Sequence, residues 1–115
     1  MAGQRFPRAA RLVAKAQFDA AFQAALRFKS RHFRLHARAS GEPARLGLAI
    51  AKRVVAKANA RNALKRHARE AFRRHREALA GYDLVLTVHA APRDVEGAAL
   101  ERELAELFLR AAAPR

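Results

Sequence analysis

Apolar and polar residues alternate strictly in one central stretch of the chain. Within residues 31–39, apolar side chains occupy every second position from Phe33 onward, and Arg or His occupies the positions between them. Successive side chains of a β-strand point to opposite faces, so this pattern predicts a half-buried strand at residues 31–39. Its apolar face must lie on a core, whereas its other face is cationic or carries imidazole.

Two further strands are predicted from their side-chain patterns. Gly41, Glu42 and Pro43 supply a turn. Residues 45–51 follow, with larger apolar side chains on one face and Gly or Ala on the other. The small face leaves room either for the backbone of a ligand or for a packed helix. Residues 83–89 (DLVLTVH) are apolar at nearly every position, which predicts a strand in the interior of a sheet.

A period of 3.6 residues predicts three helices. The first covers about residues 10–26 and is rich in Ala and Gln. The second begins between residues 59 and 61 and runs to about residue 80, where Gly81 can end it. The third follows Asp94, its predicted N-cap. Its apolar stripe consists of Leu100, Leu104, Leu107 and Ala111.

The predicted order is helix, two or three strands, helix, strand and helix, which is an α+β arrangement of helices against one sheet. With 115 residues, the chain is expected to form one domain, residues 1–115. That length suffices for a modest core without disulfide or metal staples. Residues 1–8 are predicted to be an extended basic lead-in, because Pro7 disfavours helix there.

One face of the second predicted helix is almost entirely cationic. A projection at 100° per residue places Leu64, Ala68 and Ala71 on the opposite, apolar side. Glu70 is the single acid within this part of the helix, so the positive charge is largely uncompensated, and Lys65 flanks the cationic side. The cationic stripe consists of Asn62, Arg66, Arg69, Arg73 and Arg76.

The whole chain is strongly basic. It has 24 Lys and Arg residues against 10 Asp and Glu residues, a formal net charge of +14. A solvated helix face normally mixes charge signs, because opposite charges at i,i+4 stabilise a helix and like charges repel. A helix with so many like charges needs a polyanionic partner, and guanidinium groups bind phosphate through paired hydrogen bonds. RNA or DNA binding is therefore favoured over a plain solvated face.

Several other classes of protein are disfavoured. The chain contains no Cys, which excludes disulfides and thiolate metal sites. The N-terminal residues lack the apolar core of a signal peptide, and no apolar run is long enough to cross a bilayer. A cytoplasmic protein with no membrane partner is expected. The sequence has no HExxH, nucleophile-elbow or phosphate-binding glycine motif.

Aromatic and imidazole side chains leave alternatives open. Phe18 and Phe22 lie one helical turn apart, and on composition alone they are more simply core residues than ligand contacts. His32 and His36 are predicted to share a strand face, where a metal site would need a third ligand in a chain poor in carboxylates. No metal is expected. A ribonuclease that uses His32, His36 and a Lys as general acid and base remains an alternative, although no spacing requires it.

Three motifs resemble the protein subunit family of bacterial ribonuclease P. Near the N-terminus, the family pattern R-L-x-x-x-x-x-F-x-x-x-F resembles Arg11 and Leu12 followed by Phe18 and Phe22. The family's G-L-x-V-S-K-K-V resembles residues 47–54 (GLAIAKRV). Its signature helix, R-N-R-x-K-R-x-x-R-E, resembles Arg61-Asn62-Ala63-Leu64-Lys65-Arg66-His67-Ala68-Arg69-Glu70. The resemblance covers nearly the whole chain.

Three positions depart from the family pattern. Ala63 replaces the third residue of the arginine-asparagine-arginine triplet, so the role of that guanidinium is either absent or supplied by a neighbouring residue. His36 stands where relatives often have Tyr, and a neutral imidazole can still stack on a base with less area. Ala51 replaces the Ser of the S-K-K motif. None of these changes removes the cationic stripe.

The resemblance implies a fold and a division of labour. The fold is a small two-layer α+β sandwich with a mixed sheet of about four strands and three helices, in the order α-β-β-β-α-β-α. Its βαβ crossover is left-handed, an exception to the usual rule. The protein binds the catalytic RNA and precursor tRNA, and the RNA hydrolyses the phosphodiester with bound Mg²⁺. No catalytic side chain, no cofactor bound by the protein alone and no obligate protein partner are expected.

The resemblance also assigns residues to two surfaces. The signature helix and its flanks dock on the catalytic RNA, and a cleft between the first helix and the sheet holds the single-stranded 5′ leader. The residues expected to bind catalytic RNA are Lys52, Arg53, Arg61, Asn62, Lys65, Arg66, Arg69 and Arg73. The residues expected in the leader cleft are Phe18, Phe22, Arg34 and His36.

Two functions compete with this one. A ribosomal or generic nucleic-acid-binding structural protein would share the charge and the fold class, and a stand-alone cationic ribonuclease would share the charge. They differ in what they need for cleavage. A ribonuclease P subunit requires the catalytic RNA, a structural protein never supports cleavage, and a stand-alone ribonuclease cleaves without any RNA partner.

Overall fold

A computed structural model of the protein describes residue 11, residues 15–23 and residues 26–113. The predicted lead-in at residues 1–8 lies outside the described residues. The elements follow the predicted order α-β-β-β-α-β-α. They are α1 (Lys15–Phe22), β1 (Leu26–Lys29), β2 (Phe33–Ala39), β3 (Arg45–Ala49), α2 (Ala58–His75), β4 (Tyr82–Val88) and α3 (Gly97–Ala112).

The four strands form one mixed sheet in the order β1-β2-β4-β3. β1 pairs antiparallel with β2, and β2 pairs antiparallel with β4. β3 pairs parallel with β4, so β3, α2 and β4 form the βαβ unit to which the expected left-handed crossover refers. β4 is interior, as its nearly continuous apolar sequence predicts. β1 and β3 are the edge strands.

The main core lies between one face of the sheet and the helices α2 and α3. Phe33 and Leu35 of β2 and Leu84 of β4 are fully buried there. Phe72 of α2 meets Phe108 of α3 edge to face, with ring centroids 5.8 Å apart. Each such side chain stabilises the fold by about 1.5–3 kcal/mol when fully buried, so this layer supplies most of the apolar driving force.

α1 lies on the opposite face of the sheet. Ala21 is fully buried against Val85 of β4, and Phe18, Phe22 and Ala49 pack around this pair. Val85 points away from the main core because side chains alternate along a strand. α1 contacts β2 and β4 and is short, so it covers only part of this face. The uncovered part holds the cleft described below.

The structure shortens the first predicted helix and adds a strand, β1, after it. The sequence predicts that the first helix reaches about residue 26, but the helix ends at Phe22, and Leu26 begins β1. Leu26 and Phe28 point inward while Arg27 and Lys29 point outward, and hairpin pairing with β2 stabilises this four-residue strand. The local sequence does not reveal this strand, because an alternation over four residues is too short to distinguish from the end of an Ala-rich helix.

The termini of α2 and α3 also differ from the prediction. α2 ends at His75, and residues 76–80 form a turn that leads to Gly81 at φ 93°. Asp94 is not the N-cap of α3: it has φ 55°, and Glu96 occupies the cap without a side-chain hydrogen bond. The predicted apolar stripe of α3 is confirmed as buried. No described helix is long and apolar enough to span a bilayer.

Candidate nucleic-acid interface

The cationic face of α2 lies opposite its buried side, as predicted. Leu64, Ala68 and Ala71 are buried in the main core. Asn62 and Arg66 are exposed on the other side. Lys65, Arg69 and Arg73 are half-buried along the same surface. The helix therefore presents a row of cationic groups to its surroundings while its small and apolar residues pack on the sheet and α3.

One acid neutralises the C-terminal part of this face. Glu70 accepts hydrogen bonds from Arg73, at 2.6 Å, and from Arg74, at 3.1 Å. The hydrogen bond from Arg73 is the main cause that lowers the pKa of Glu70 below its ordinary value, and the charge of Arg74 adds to it. The N-terminal half of the helix, with Asn62 and Arg66, has no acid among its own residues.

Arg69 lies in a more positive environment. Burial lowers the pKa of its guanidinium, and the nearby charge of Arg11 lowers it further. Arg11 is held there because it forms a parallel β-bridge with Leu46 of the edge strand β3. Arg11 thus extends the cationic surface from α2 toward the N-terminal segment.

Arg61 and Arg76 have clear structural contacts. Arg61 donates to the carbonyl oxygens of Val55, at 3.0 Å, and Ala56, at 2.8 Å, so it holds the loop that precedes α2. Arg76 lies past the helix end and donates to the carbonyl of Ala44 at 3.1 Å. These two hydrogen bonds occupy part of the Arg61 guanidinium, which is also predicted to contact RNA.

A groove of about 670 Å³ runs beside the cationic face of α2. His67 and Glu101 of α3 meet there at 2.8 Å. The groove is lined by Asn62, Arg66, His67, Arg69, Glu70, Arg73 and Glu101. Ala63, which replaces the family's arginine, instead lines an apolar groove between the start of α2 and residues 91–97.

A cleft of about 710 Å³ opens on the α1 side of the sheet. It brings together three of the four residues predicted to hold a leader, Phe22, Arg34 and His36. The fourth, Phe18, packs with Ala21 and Val85 beneath α1 instead of lining the cleft. The remaining lining residues are Ala49, Ile50, Ala51, Arg53, Val54, Thr87, Val88 and His89.

Small side chains open this cleft. Ala49 and Ala51 lie on its floor, and their size is the sequence signal that predicted room for a ligand backbone or a helix. The helix alternative is realised at Ala49, which packs against the α1 cluster. Thr87 and His89 were not predicted, since a strand with an almost continuous apolar sequence gives no sign of which side chains reach a cavity.

His36 is the imidazole of the cleft. Its ring meets Phe22 edge to face, with centroids 5.2 Å apart. Burial lowers the pKa of His36, and the charges of Arg27 and Arg34 lower it further, so the neutral form of the ring is favoured. Its Nδ1 atom is buried and has no hydrogen-bond partner among the described residues.

His32 does not share a strand face with His36, contrary to the prediction. It lies in the turn before β2 and is buried, with its Nδ1 2.7 Å from Glu103 of α3. Its backbone N–H donates to the same carboxylate at 2.8 Å. The proposed His32–His36 pair for acid–base catalysis is therefore not assembled. No group of three or more His, Asp or Glu within the described part of the chain is arranged to hold a metal ion.

The turn after β3 joins the two surfaces. Lys52 and Arg53 are both exposed in it, and Arg53 also lines the cleft. α2 begins shortly afterwards at Ala58. Arg53 is predicted to bind catalytic RNA, and in the structure it also lines the cleft, as do Phe22 and His36.

Known proteins match the chain along nearly its whole length. A family profile described as Ribonuclease P matches residues 6–112. The Ribonuclease P protein component of Azoarcus sp. (strain BH72) is 40% identical over 110 residues, which cover 95% of this chain and 92% of the relative. That of Burkholderia pseudomallei (strain 1106a) is 43% identical over 89 residues, which cover 77% of this chain and 65% of the relative.

Solved structures share the fold. The RNase P protein of Staphylococcus aureus superposes with a TM-score of 0.81 at 22% identity, covering 90% of this chain and 96% of that one. The RNase P protein of Thermotoga maritima, in complex with 1-(4-fluorophenyl)-2-thiourea, gives a TM-score of 0.75 at 27% identity, covering 87% and 98%. Sequence, motif order and fold agree, and the chain belongs to the ribonuclease P protein family.

Proposed function

We propose that the chain binds the catalytic RNA of ribonuclease P through the cationic face of α2 and the 5′ leader of precursor tRNA through the cleft. It thereby supports endonucleolytic 5′ maturation of tRNA. The observation that carries this proposal is the arrangement of two separate cationic surfaces, joined by the turn that holds Lys52 and Arg53. One surface is a charged helix face, and the other is a cleft with an aromatic wall.

The α2 face suits a folded RNA. Asn62, Lys65, Arg66, Arg69 and Arg73 can reach phosphates along one side of a rigid helix. Contacts to phosphate position a protein on a nucleic acid and release counterions, and they do not read base sequence. Such a surface would bring the protein and catalytic RNA together by shape and charge.

The cleft suits an unpaired strand. Phe22 and His36 offer ring surfaces on which bases can stack, and Arg34 and Arg53 can contact the phosphates between those bases. Stacking of a base on an aromatic ring contributes about 1–3 kcal/mol and tolerates every base. A cleft of this kind would hold leaders of many sequences.

The chemistry belongs to the RNA in this proposal. Hydrolysis of the phosphodiester would be carried out by the catalytic RNA with its Mg²⁺, and the protein would contribute positioning and charge neutralisation. Its effect should therefore be largest at low Mg²⁺, where the charge of the RNA is least screened by cations.

The test is reconstitution with a bacterial ribonuclease P RNA at low Mg²⁺, with removal of the 5′ leader as the readout. The protein alone and the RNA alone are the two controls. We expect efficient cleavage only when both are present. Failure of the protein to stimulate the RNA would favour a structural nucleic-acid-binding protein, and cleavage by the protein alone would favour a cationic ribonuclease.

A further inference from the structure

Cross-strand pairing lines up side chains from the cleft to the free edge of the sheet. Ala49 of β3 pairs with Thr87 of β4, and Thr87 pairs with Arg34 of β2. Arg34 pairs in turn with Lys29 of the edge strand β1. Directly paired residues share a face of a sheet. Ala49, Thr87 and Arg34 line the cleft, so Lys29 lies on the same face, two strand spacings or about 10 Å beyond Thr87.

A neighbouring row repeats the arrangement. Val85 of β4 pairs with His36, and His36 pairs with Arg27 of β1. α1 covers Val85 at the centre of the sheet. Arg27 lies beyond it and is exposed, as are Lys29 and Arg34. The β1 edge therefore carries cationic side chains on the face that continues out of the cleft.

These cations have no acidic partner in the fold. All ten Asp and Glu residues of the chain fall within the described ranges, and none of them forms an ion pair with Arg27, Lys29 or Arg34 among those residues. Lys29 lies directly opposite Arg34, and like charges directly opposite across strands are destabilising. Arg27 and Arg34 both act on the pKa of His36 through their charge.

The next row of the same sheet face differs because it contains an acid. Asp83 of β4 is buried and accepts two hydrogen bonds from Arg45, at 2.8 Å each. Arg38 of β2 lies 4.0 Å from the same carboxylate. One end of the face thus carries its counter-charge within the fold, whereas the end beside the cleft lacks one.

Several hydrogen bonds hold the backbone of the β1–β2 turn, next to Lys29, in place. The carboxylate of Glu103 accepts hydrogen bonds from the Ser30 hydroxyl and from the backbone and ring of His32. Arg110 donates to the carbonyl of Lys29 at 2.8 Å, and the ring of His89 contacts the carbonyl of Ser30 at 2.9 Å. Groups on a rigid hairpin lose less conformational entropy when a ligand binds.

We propose that Arg27 and Lys29, continuing from Arg34, form a track for phosphates that takes leader nucleotides extending beyond the cleft. This inference rests on the proposed function of the cleft. β1 places no aromatic ring on this face, so the track binds the phosphate backbone and does not read bases. Long leaders therefore gain affinity from it through charge, and leaders that end within the cleft gain nothing.

The test compares precursor tRNAs with a series of leader lengths, bound to the holoenzyme reconstituted with a bacterial ribonuclease P RNA. The variant is Arg27→Ala/Lys29→Ala, and the matched control is Arg93→Ala/Arg102→Ala, which removes the same charge from exposed positions off this face. Arg34 is left unchanged because it lines the cleft. Thermal melts of both variants check the fold, and Arg27→Gln/Lys29→Gln replaces the Ala pair if that pair melts early.

We expect the Arg27/Lys29 variant to lose affinity several-fold for long leaders only. The slope of log K against log salt should fall by about 1.4 for those leaders, since two contacts at about 0.7 each are removed. The control should match the unmodified protein at every length.

Three results would overturn the track. The first is unchanged affinity of the Arg27/Lys29 variant for long leaders. The second is an equal loss of affinity for short leaders and mature tRNA, which would assign these cations to catalytic RNA. The third is an equal loss of affinity in the control variant. The unmodified holoenzyme tests the cleft separately. If the unmodified holoenzyme binds mature tRNA as well as any precursor, the proposed function of the cleft is wrong. If the unmodified holoenzyme prefers long leaders and the Arg27/Lys29 variant keeps that preference in full, only the proposed track is wrong.

Discussion

Phe22 is the aromatic side chain that α1 contributes to the cleft, and it touches His36 edge to face. Phe22→Ala should weaken binding of the holoenzyme to precursor tRNA by about 1–3 kcal/mol, because one stacking surface for an unpaired base is lost. Affinity for mature tRNA and for catalytic RNA should stay nearly constant. Binding titrations of the three RNAs measure this directly.

Phe18→Ala is the natural comparison for that variant. Phe18 packs against Ala21 and Val85 and does not line the cleft, so its loss should lower the melting temperature and leave the preference for precursor over mature tRNA intact. If Phe22→Ala instead lowers the melting temperature and all three affinities together, then its ring is a core residue.

Glu103 is a second residue whose environment leads to a measurable consequence. Burial acts to raise its pKa, but hydrogen bonds from Ser30 and His32 outweigh burial, so the pKa lies below its ordinary value of 4.5. A carboxyl whose pKa is lower in the folded state than in the unfolded state stabilises the fold at pH values above its unfolded pKa. That contribution disappears as the pH falls below about 4.5 toward the folded pKa.

Glu103→Gln should therefore destabilise the protein at pH 7 by about 1–3 kcal/mol, because hydrogen bonds to a charged acceptor are weakened. Thermal melts between pH 7 and pH 3.5 should show the gap to the unmodified protein narrowing below about pH 4.5. Glu106→Gln, at an exposed position of the same helix, is the control and should have little effect. A gap that is constant with pH would contradict the assignment.

Between elements, the contact of α2 with α3 depends on a glycine. A Cβ atom added to Gly97, the first residue of α3, would lie 2.7 Å from Cε1 of His67 on α2. The His67 ring cannot turn away freely, because its Nδ1 is 2.8 Å from Glu101. The two helices therefore approach closely at a point where one side chain must be missing.

Gly97→Ala should lower stability by about 1–3 kcal/mol through this overlap, despite the better helix propensity of Ala. In a His67→Ala background, the same substitution should be neutral or stabilising. Chemical denaturation of the four proteins of this cycle gives the coupling between the two positions. Equal effects of Gly97→Ala in both backgrounds would show that the ring is not the obstacle.

For the whole molecule, the net charge of +14 and the face of α2 make RNA binding sensitive to salt. If roughly five phosphates are neutralised, log K for catalytic RNA should fall against log salt with a slope of about −3.5 to −4.5. Arg66→Ala should reduce the magnitude of that slope by about 0.7–0.9, the share of one phosphate contact. It should change the free energy of unfolding by less than about 0.5 kcal/mol, because Arg66 is exposed. A slope near zero would exclude backbone charge as the source of affinity.

The sequence predicted most of this molecule because long periodic segments dominate it. The buried and cationic faces of α2 and the stripe of α3 repeat over several turns, and β2 alternates over seven residues. β1 was missed because its four residues acquire strand geometry from pairing with β2. The prediction of Asp94 as a cap rests on residue type alone, whereas the N-cap of α3 is Glu96, two residues later.

The cleft was predictable only in part. Phe18 and Phe22 are one turn apart and look equivalent in sequence, but only Phe22 lines the cavity once α1 has packed on the sheet. His32 was placed beside His36 by strand alternation. Its actual position depends on Glu103, which is distant in sequence and reaches the turn only after α3 has packed. Such contacts belong to tertiary structure and leave no local pattern.

The hydrogen bonds from Arg61 to Val55 and Ala56 have one more consequence. They brace the connection between Arg53, at the cleft, and Asn62, on the face of α2. Under the proposed function, the leader and the catalytic RNA would bind at opposite ends of this braced segment, which would couple their positions. The protein backbone would then set the distance between the bound leader and the catalytic RNA. Cleavage would occur at a fixed position relative to the protein, independent of the sequence of the leader.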